Sequence, residues 1–306
     1  SLKNNSFEND ASSTSNSVLP KHSGVGIKLS FSYNLTSSKV SLFLSKYLHQ
    51  YLRDLKLFCS AQRILQKHSL RFRFCQSDKL NATFGGGEAN VSVSLANYGM
   101  DSVYVTKLPS HAIGQAAVNS LRYFGVDTSK IVRGGERMGI YYLEKGASQR
   151  ASKVIYDRKY SSIGMAERAD FDWEKILDGA DWFHFTGITP ALGKNVTEIC
   201  LQACKAAKAR GVKISCDLNY RKKLWTKEKA GQVMGEICKY VDYCIANEED
   251  AKDVFGIEAE NTDIYGGKLN HEGYKSVAKQ LADKFGFEKV AITLRESYSA
   301  SNNGWS

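Results

Sequence analysis

After about residue 80 the apolar positions follow two alternating periods. At 102–106, Val103 and Val105 are the apolar members of an alternating strand. A helical run follows at 113–124. Short strands at 141–143 and 153–156 are joined through Lys145, Gly146 and Ala147. The aromatic run 182–186 reads as a strand that ends at Gly187. Val196, Ile199, Cys200, Ala203 and Ala207 then fall on one helical face, and Gly211 stops that helix. A strand is expected at 212–216, with Asp217, Leu218 and Asn219 as its carboxyl edge. Thr226 is a plausible N-cap for the next helix. A strand at 243–246, a helix from Glu248, a helical face of Tyr274, Val277, Ala278, Leu281 and Phe285, and a strand at 289–294 complete the series.

Strands separated by helices in this rhythm imply a doubly wound, mainly parallel α/β sheet with helices on both faces. Ligands bind such sheets outside the carboxyl ends of the strands. That directs attention to Asp217, Asn219, Arg221, Asn247, Thr293 and Arg295, which close successive strands. The hairpin at 139–158 breaks the rhythm and reads as an inserted lid.

The first 80 residues differ. Residues 1–46 hold 13 serines without a strong period, which reads as poorly ordered chain. Over 40–58 a weak helical stripe runs through Val40, Leu44, Leu48, Leu52 and Leu55. It is read as an ordinary amphipathic stretch or sequence foreign to the fold, ahead of a targeting or membrane-surface helix. The segment 1–67 is therefore set apart as atypical, poorly ordered and partly mistranslated or mis-spliced, and 68–306 is taken as the folded part, with lid strands around 138–158.

Charge divides in the same way. The net charge of +10 splits into +8 over residues 1–80 and +2 over the rest. A nearly neutral folded part without a recognition motif argues against nucleic-acid binding. No run of 18 apolar residues occurs, so no membrane-spanning helix is expected. Seven cysteines without CxxC, and no HExxH, indicate neither a disulfide framework nor a structural zinc site, but a reducing, cytoplasmic setting.

The strongest local motif is Phe84-Gly85-Gly86-Gly87-Glu88-Ala89-Asn90. Glycines allow positive φ and close approach of a ligand, while Glu88 and Asn90 supply acceptors and a donor suited to sugar hydroxyls. A tight turn explains the glycines equally well. The motif is neither a dinucleotide-binding GxGxxG nor a phosphate loop. His184 lies in an aromatic strand and reads as core, as do Cys200 and Cys204 on one helix face.

The glycine motif, the following 103–109 block, and the blocks at 139–146, 154–158, 183–190, 216–221 and 246–250 together resemble the PfkB-type, ribokinase-like sugar kinases, most of all their 2-keto-3-deoxygluconate kinase branch. The resemblance covers about residues 68–306. It implies a ribokinase-like fold with a small β lid, and transfer of the ATP γ-phosphoryl group to the 6-hydroxyl of 2-keto-3-deoxygluconate with Mg²⁺. By the same resemblance Gly86, Gly87, Glu88 and Asn90 hold the sugar, with Tyr141, Tyr156 and Arg158 contacting it from the lid. Arg158 and Arg221 suit a sugar carboxylate, which arginine binds bidentately. Asn219, Arg221, Asn247, Thr293 and Arg295 are placed at the nucleotide, and Asp250 at the metal, where the family has a glutamate. The lid is expected to pair subunits in a homo-oligomer.

Two departures accompany the match. No Gly-x-Gly-Asp occurs, although the family's proton-accepting aspartate and anion-binding glycines lie in such a motif near the C-terminus. This leads to the expectation of an incomplete, poorly active kinase domain. The early Gly-Glu or Gly-Asp strand of the family is also missing, with 57–62 in its place. A fructokinase-like enzyme and a non-catalytic sugar-binding pseudokinase are the alternatives.

Overall fold

Backbone pairing carries the fold from residue 54 onward. A computed structural model describes residues 54–58, 62–66, 73–76, 80–146, 150–258, 271–297 and 303–305. The expectations for 1–46 and for the helical stripe up to residue 53 lie outside these residues, as does Ala147.

In chain order the elements begin with β1 (Asp54–Phe58), β2 (Gln62–Gln66), β3 (Asn81–Gly85), α1 (Gly87–Asn97), β4 (Asp101–Val105), β5 (Lys107–Leu108) and α2 (Ala112–Tyr123). There follow β6 (Val132–Arg133), β7 (Gly139–Glu144), β8 (Lys153–Asp157), α3 (Trp173–Ile176), β9 (Trp182–Thr186), α4 (Lys194–Ala209) and β10 (Lys213–Asp217). The last are α5 (Lys227–Ile237), β11 (Tyr243–Ala246), α6 (Glu248–Phe255), α7 (His271–Phe285), β12 (Lys289–Ile292), β13 (Arg295–Ser297) and β14 (Asn303–Trp305).

Six strands form one parallel sheet in the order β12-β11-β10-β9-β1-β4. Within the described body of the sheet, β9 is buried along its whole length. Its Phe183 and Phe185 join one core cluster with α4, α5, α6 and α7, through residues such as Ile199, Met234, Val254 and Leu281. Trp182 joins a second cluster with α1 and α2, through Leu95, Val118 and Leu121. Alternate side chains of one strand therefore feed cores on opposite faces, as the doubly wound ribokinase-like reading requires.

The helix signals resolve as expected. Val196, Ile199, Cys200, Ala203 and Ala207 are all buried on α4. Gly211 follows it at φ 72°, a left-handed conformation that ends the helix without the strain a side chain would bring. The Thr226 side chain caps α5 by accepting the Lys229 N–H.

Two elements lie where the sequence set apart an atypical segment. β1 pairs with both β4 and β9 inside the sheet, and β2 pairs with β3 and β7. Leu55, expected on a helical stripe, lies instead in the strand Asp54–Phe58. A short run containing Leu55 and Leu57 satisfies either period, and only pairing partners decide it. The lid is accordingly larger than the hairpin. It is a four-stranded sheet in the order β3-β2-β7-β8. Among the described residues no helix is long and apolar enough to cross a membrane.

Candidate active site

Strand connections change direction between β1 and β9. From β1 the sheet grows towards β4, and from β9 it grows through β10 and β11 to β12. The carboxyl ends of β1 and β9 thus border the crevice where open parallel sheets bind ligands. β2 follows β1 after three residues, so the lid leaves from this same end.

The glycine-rich turn enters α1 here. Gly86 is the N-cap at φ 156°, and Gly86 O accepts the Asn90 N–H at 2.9 Å. A Cβ on Gly87 would stand 3.8 Å from Thr186 Cγ2 and 3.9 Å from Asn219 Nδ2, so the turn faces the ends of β9 and β10. Gly187 is required by close approach: a Cβ there would fall 2.1 Å from the Leu218 carbonyl oxygen.

Glu88 turns inward and is 1% exposed. Its Oε1 accepts the Thr186 hydroxyl at 2.7 Å, the Thr189 hydroxyl at 3.0 Å and the Thr186 N–H at 3.3 Å. Its Oε2 is buried without a hydrogen-bond partner among the described residues. Glu88 therefore fastens the start of α1 to the exit of β9.

Two lid strands supply aromatic and cationic groups. Tyr141 and Tyr156 are cross-strand partners with ring centroids 6.0 Å apart. Burial pushes the Tyr141 phenol up to about 12, with Tyr156 adding to the shift and Arg158 opposing it. The Arg158 guanidinium lies 4.2 Å from the Tyr156 ring centroid, and the Lys223 ammonium lies 5.6 Å from it. Burial lowers the Arg158 pKa, the charge of Arg221 lowers it further, and Tyr156, Glu88 and Tyr141 act the other way. Two cations that raise each other's cost in a partly enclosed space are relieved by an anion between them.

Beneath these cations lie two buried carboxyl groups. Asp217 is pushed up to about 8 by burial and by the charge of Asp250, with Arg221 and the Asn219 N–H opposing. Asn219 takes a left-handed φ of 39°, which asparagine tolerates better than most residues. Asp250 is pushed up to about 6, chiefly by burial. Its Oδ1 accepts the Tyr220 N–H at 3.0 Å. The Asn247 side chain caps α6 by accepting the Asp250 N–H at 2.7 Å.

A cavity of about 460 Å³ opens between lid and sheet, and Tyr156, Arg158, Arg221, Lys223, Asn247 and Asp250 are in its wall. Five of these six come from the sequence reading. Gly86, Gly87, Glu88, Asn90, Tyr141 and Asn219 lie outside that wall, towards the glycine turn and the inner lid face. Thr293 is buried beside β11, donating its N–H to Ala246 O at 2.9 Å. The backbone of Arg295 opens β13. Lys222 and Lys223, which follow Arg221 directly, also line the cavity. Their one sequence signal was adjacency to Arg221 at a strand end.

His184 and the helix cysteines stand apart from this site. His184 is fully buried, burial lowers its pKa to about 3, and its Nδ1 lies 2.8 Å from Ser215 Oγ. Cys200 and Cys204 are fully buried in the core.

Among the described residues no group of three or more His, Cys, Asp or Glu side chains could hold a metal ion by itself. Mg²⁺ typically takes one or two carboxylates together with nucleotide phosphates and water. Asp250, buried at the cavity wall with its charged form disfavoured, fits a cation that arrives with a nucleotide.

Known proteins resemble this chain in sequence and in fold. The pattern of the pfkB family carbohydrate kinases matches residues 73–296. The solved structure of a 2-dehydro-3-deoxygluconokinase from Thermotoga maritima is 51% identical, with a TM-score of 0.79 over 84% of this chain and 75% of that one. The 2-dehydro-3-deoxygalactonokinase of Haloferax volcanii is 30% identical over 79% of this chain and 69% of its own length. The 2-dehydro-3-deoxygluconokinase of Bacillus subtilis is 28% identical over 46% of this chain, which spans 43% of it. A sugar kinase from Pyrococcus horikoshii solved with ATP shares the fold at 22% identity and a TM-score of 0.59. The chain belongs to the pfkB family of carbohydrate kinases.

Proposed function

We propose that this site binds a 2-keto-3-deoxy sugar acid, of the 2-keto-3-deoxygluconate type, together with ATP and Mg²⁺. The observation that carries the reading is the meeting of Arg158 from the lid and Arg221 from the β10 exit in one cavity. Arginine forks match a carboxylate bidentately, and a neutral sugar gives them nothing to neutralise. The kinases from Thermotoga maritima and Bacillus subtilis that resemble this chain carry names for substrates of this acid class.

In this reading the sugar lies between the glycine turn and the Tyr141–Tyr156 lid face, its carboxylate towards Arg158 and Arg221. Asn90 reaches the sugar hydroxyls, and Glu88 acts from below by fixing Thr186 and Thr189. Asn219, Asn247, Thr293 and Arg295 border the nucleotide, and Asp250 holds the metal. The transfer forms a bond between the sugar's 6-oxygen and the γ-phosphorus, breaks the bond to the β-phosphate bridge, and releases ADP and the hydroxyl proton. No Gly-x-Gly-Asp occurs in the 306 residues, so the roles assigned to these residues are binding and orientation.

Calorimetric titration of the chain tests the reading. 2-Keto-3-deoxygluconate should bind at least about ten-fold more tightly than fructose, a difference of about 1.4 kcal/mol. Arg158→Ala and Arg221→Ala should each erase that preference. Equal affinity for the acid and for fructose in the unaltered chain would overturn it.

A further inference from the structure

Arg158 is useful to an acid substrate only if its guanidinium is held in place, and stacking on Tyr156 is one part of that. It follows the last residue of β8, at the point where the lid returns to the body. Arg137, just before β7 where the lid departs, bonds the chain on either side of Arg158. Arg137 Nη1 donates to Asp157 Oδ1 at 2.8 Å and to the Lys159 carbonyl at 3.2 Å. Its Nη2 donates to Asp157 Oδ2 at 2.5 Å and to the Asp157 carbonyl at 3.3 Å. One guanidinium thus grips the chain on both sides of Arg158.

Arg137 is itself anchored. Its carbonyl accepts the Ser162 N–H at 2.7 Å and the Ser162 hydroxyl at 3.0 Å, and Ser162 is buried. Both ends of the β7–β8 hairpin are therefore tied to one another and to the 161–162 segment. Successive strand residues point to opposite faces, and Arg158 stacks on Tyr156 two residues away. Asp157 and its partner Arg137 lie on the other face, away from the cavity wall, and neither lines the cavity.

We propose that Arg137 and Asp157 are positioning residues for substrate-acid recognition: the fork between them sets the place of Arg158 without touching the substrate. This rests on the reading that Arg158 recognises the substrate carboxylate. Stability is not the pair's main contribution. The two side chains are 34% and 39% exposed, and ion pairs at such exposure add little to folding. A planar fork that bonds a carboxylate and two carbonyls cannot be reproduced by lysine, whose ammonium is a point charge.

The test uses the full chain and the ratio of dissociation constants for fructose and 2-keto-3-deoxygluconate. Arg137→Lys and Asp157→Asn should each lower that ratio by about ten-fold, roughly 1.4 kcal/mol in relative affinity. Affinity for fructose and the melting temperature should stay near those of the unaltered chain. In an Arg158→Ala background, Arg137→Lys should change the ratio no further, because coupled residues are not additive. A purely structural role would lower melting temperature and weaken both sugars alike, and that result overturns the inference. An unchanged ratio in Arg137→Lys, with a collapsed ratio in Arg158→Ala, also overturns it while leaving the substrate reading intact. An unchanged ratio in Arg158→Ala removes the substrate reading and this inference together.

Discussion

β9 of the central sheet buries all five of its residues, whereas β8 of the lid buries none of its five. The first is fixed by side chains packed on both faces, with Phe183 and Phe185 in one core and Trp182 in the other. The second is fixed by backbone pairing to β7, ring contact between Tyr141 and Tyr156, and the Arg137–Asp157 fork. The difference separates two tasks. Folding free energy is concentrated in the sheet, and the lid carries groups whose value lies in where they point. The cavity sits on the boundary, taking Tyr156 and Arg158 from the lid and Arg221, Lys223, Asn247 and Asp250 from the body.

Truncating one side chain in each region should expose this contrast most strongly. Phe185→Ala removes a fully buried ring and should cost about 3–5 kcal/mol. Ile155→Ala, at a lid position 44% exposed, should stay within about 0.5 kcal/mol. Urea denaturation midpoints read both. Comparable losses at the two positions would mean that the lid takes part in the folding core.

The buried acids sharpen the comparison through pH. Burial raises the Asp217 pKa from 3.8 to about 8, with the Asp250 charge adding to it. The folded state thus keeps a proton that the unfolded chain releases above about pH 4. The stability this confers is complete below that pH, declines as pH rises to about 8, and then levels off. One pKa unit corresponds to about 1.4 kcal/mol, so even half of this shift is worth a few kcal/mol. Denaturation without nucleotide should therefore give a lower midpoint at pH 8 than at pH 5, and Asp217→Asn should flatten the slope. A slope left unchanged by Asp217→Asn would show that Asp217 is ionised in the folded chain.

The same contrast explains what the sequence made legible. Strands such as Trp182–Thr186 and helices such as Lys194–Ala209 announce themselves, because burial on fixed faces leaves an apolar period. The lid strands β2 and β3 leave no apolar period. Gln62–Gln66 has only Ile64 and Leu65 as apolar residues, side by side, and Asn81–Gly85 is exposed or half-buried over its first four positions. Arg221 and Asn247 could be placed because polar residues at strand ends meet in one crevice, whereas Tyr156, Arg158 and Asp250 came from the family resemblance. Glu88 could not be placed the same way. Its three donors come from Thr186 and Thr189, about a hundred residues further on, and nothing local to the glycine turn signals them.

The smallest effect separates a cap from a ligand group. Thr226 and Asn247 both cap helices, accepting the Lys229 N–H at 3.3 Å and the Asp250 N–H at 2.7 Å. Replacing either with alanine should cost about 1 kcal/mol of stability, since a cap satisfies one orphan N–H. Thr226 does not line the cavity and Asn247 does. Thr226→Ala should then leave Mg-ATP affinity unchanged, while Asn247→Ala should weaken it, as titration calorimetry would report. If both variants lose stability equally and neither changes nucleotide affinity, Asn247 serves α6 alone and the nucleotide border must be drawn from the remaining residues of the cavity wall.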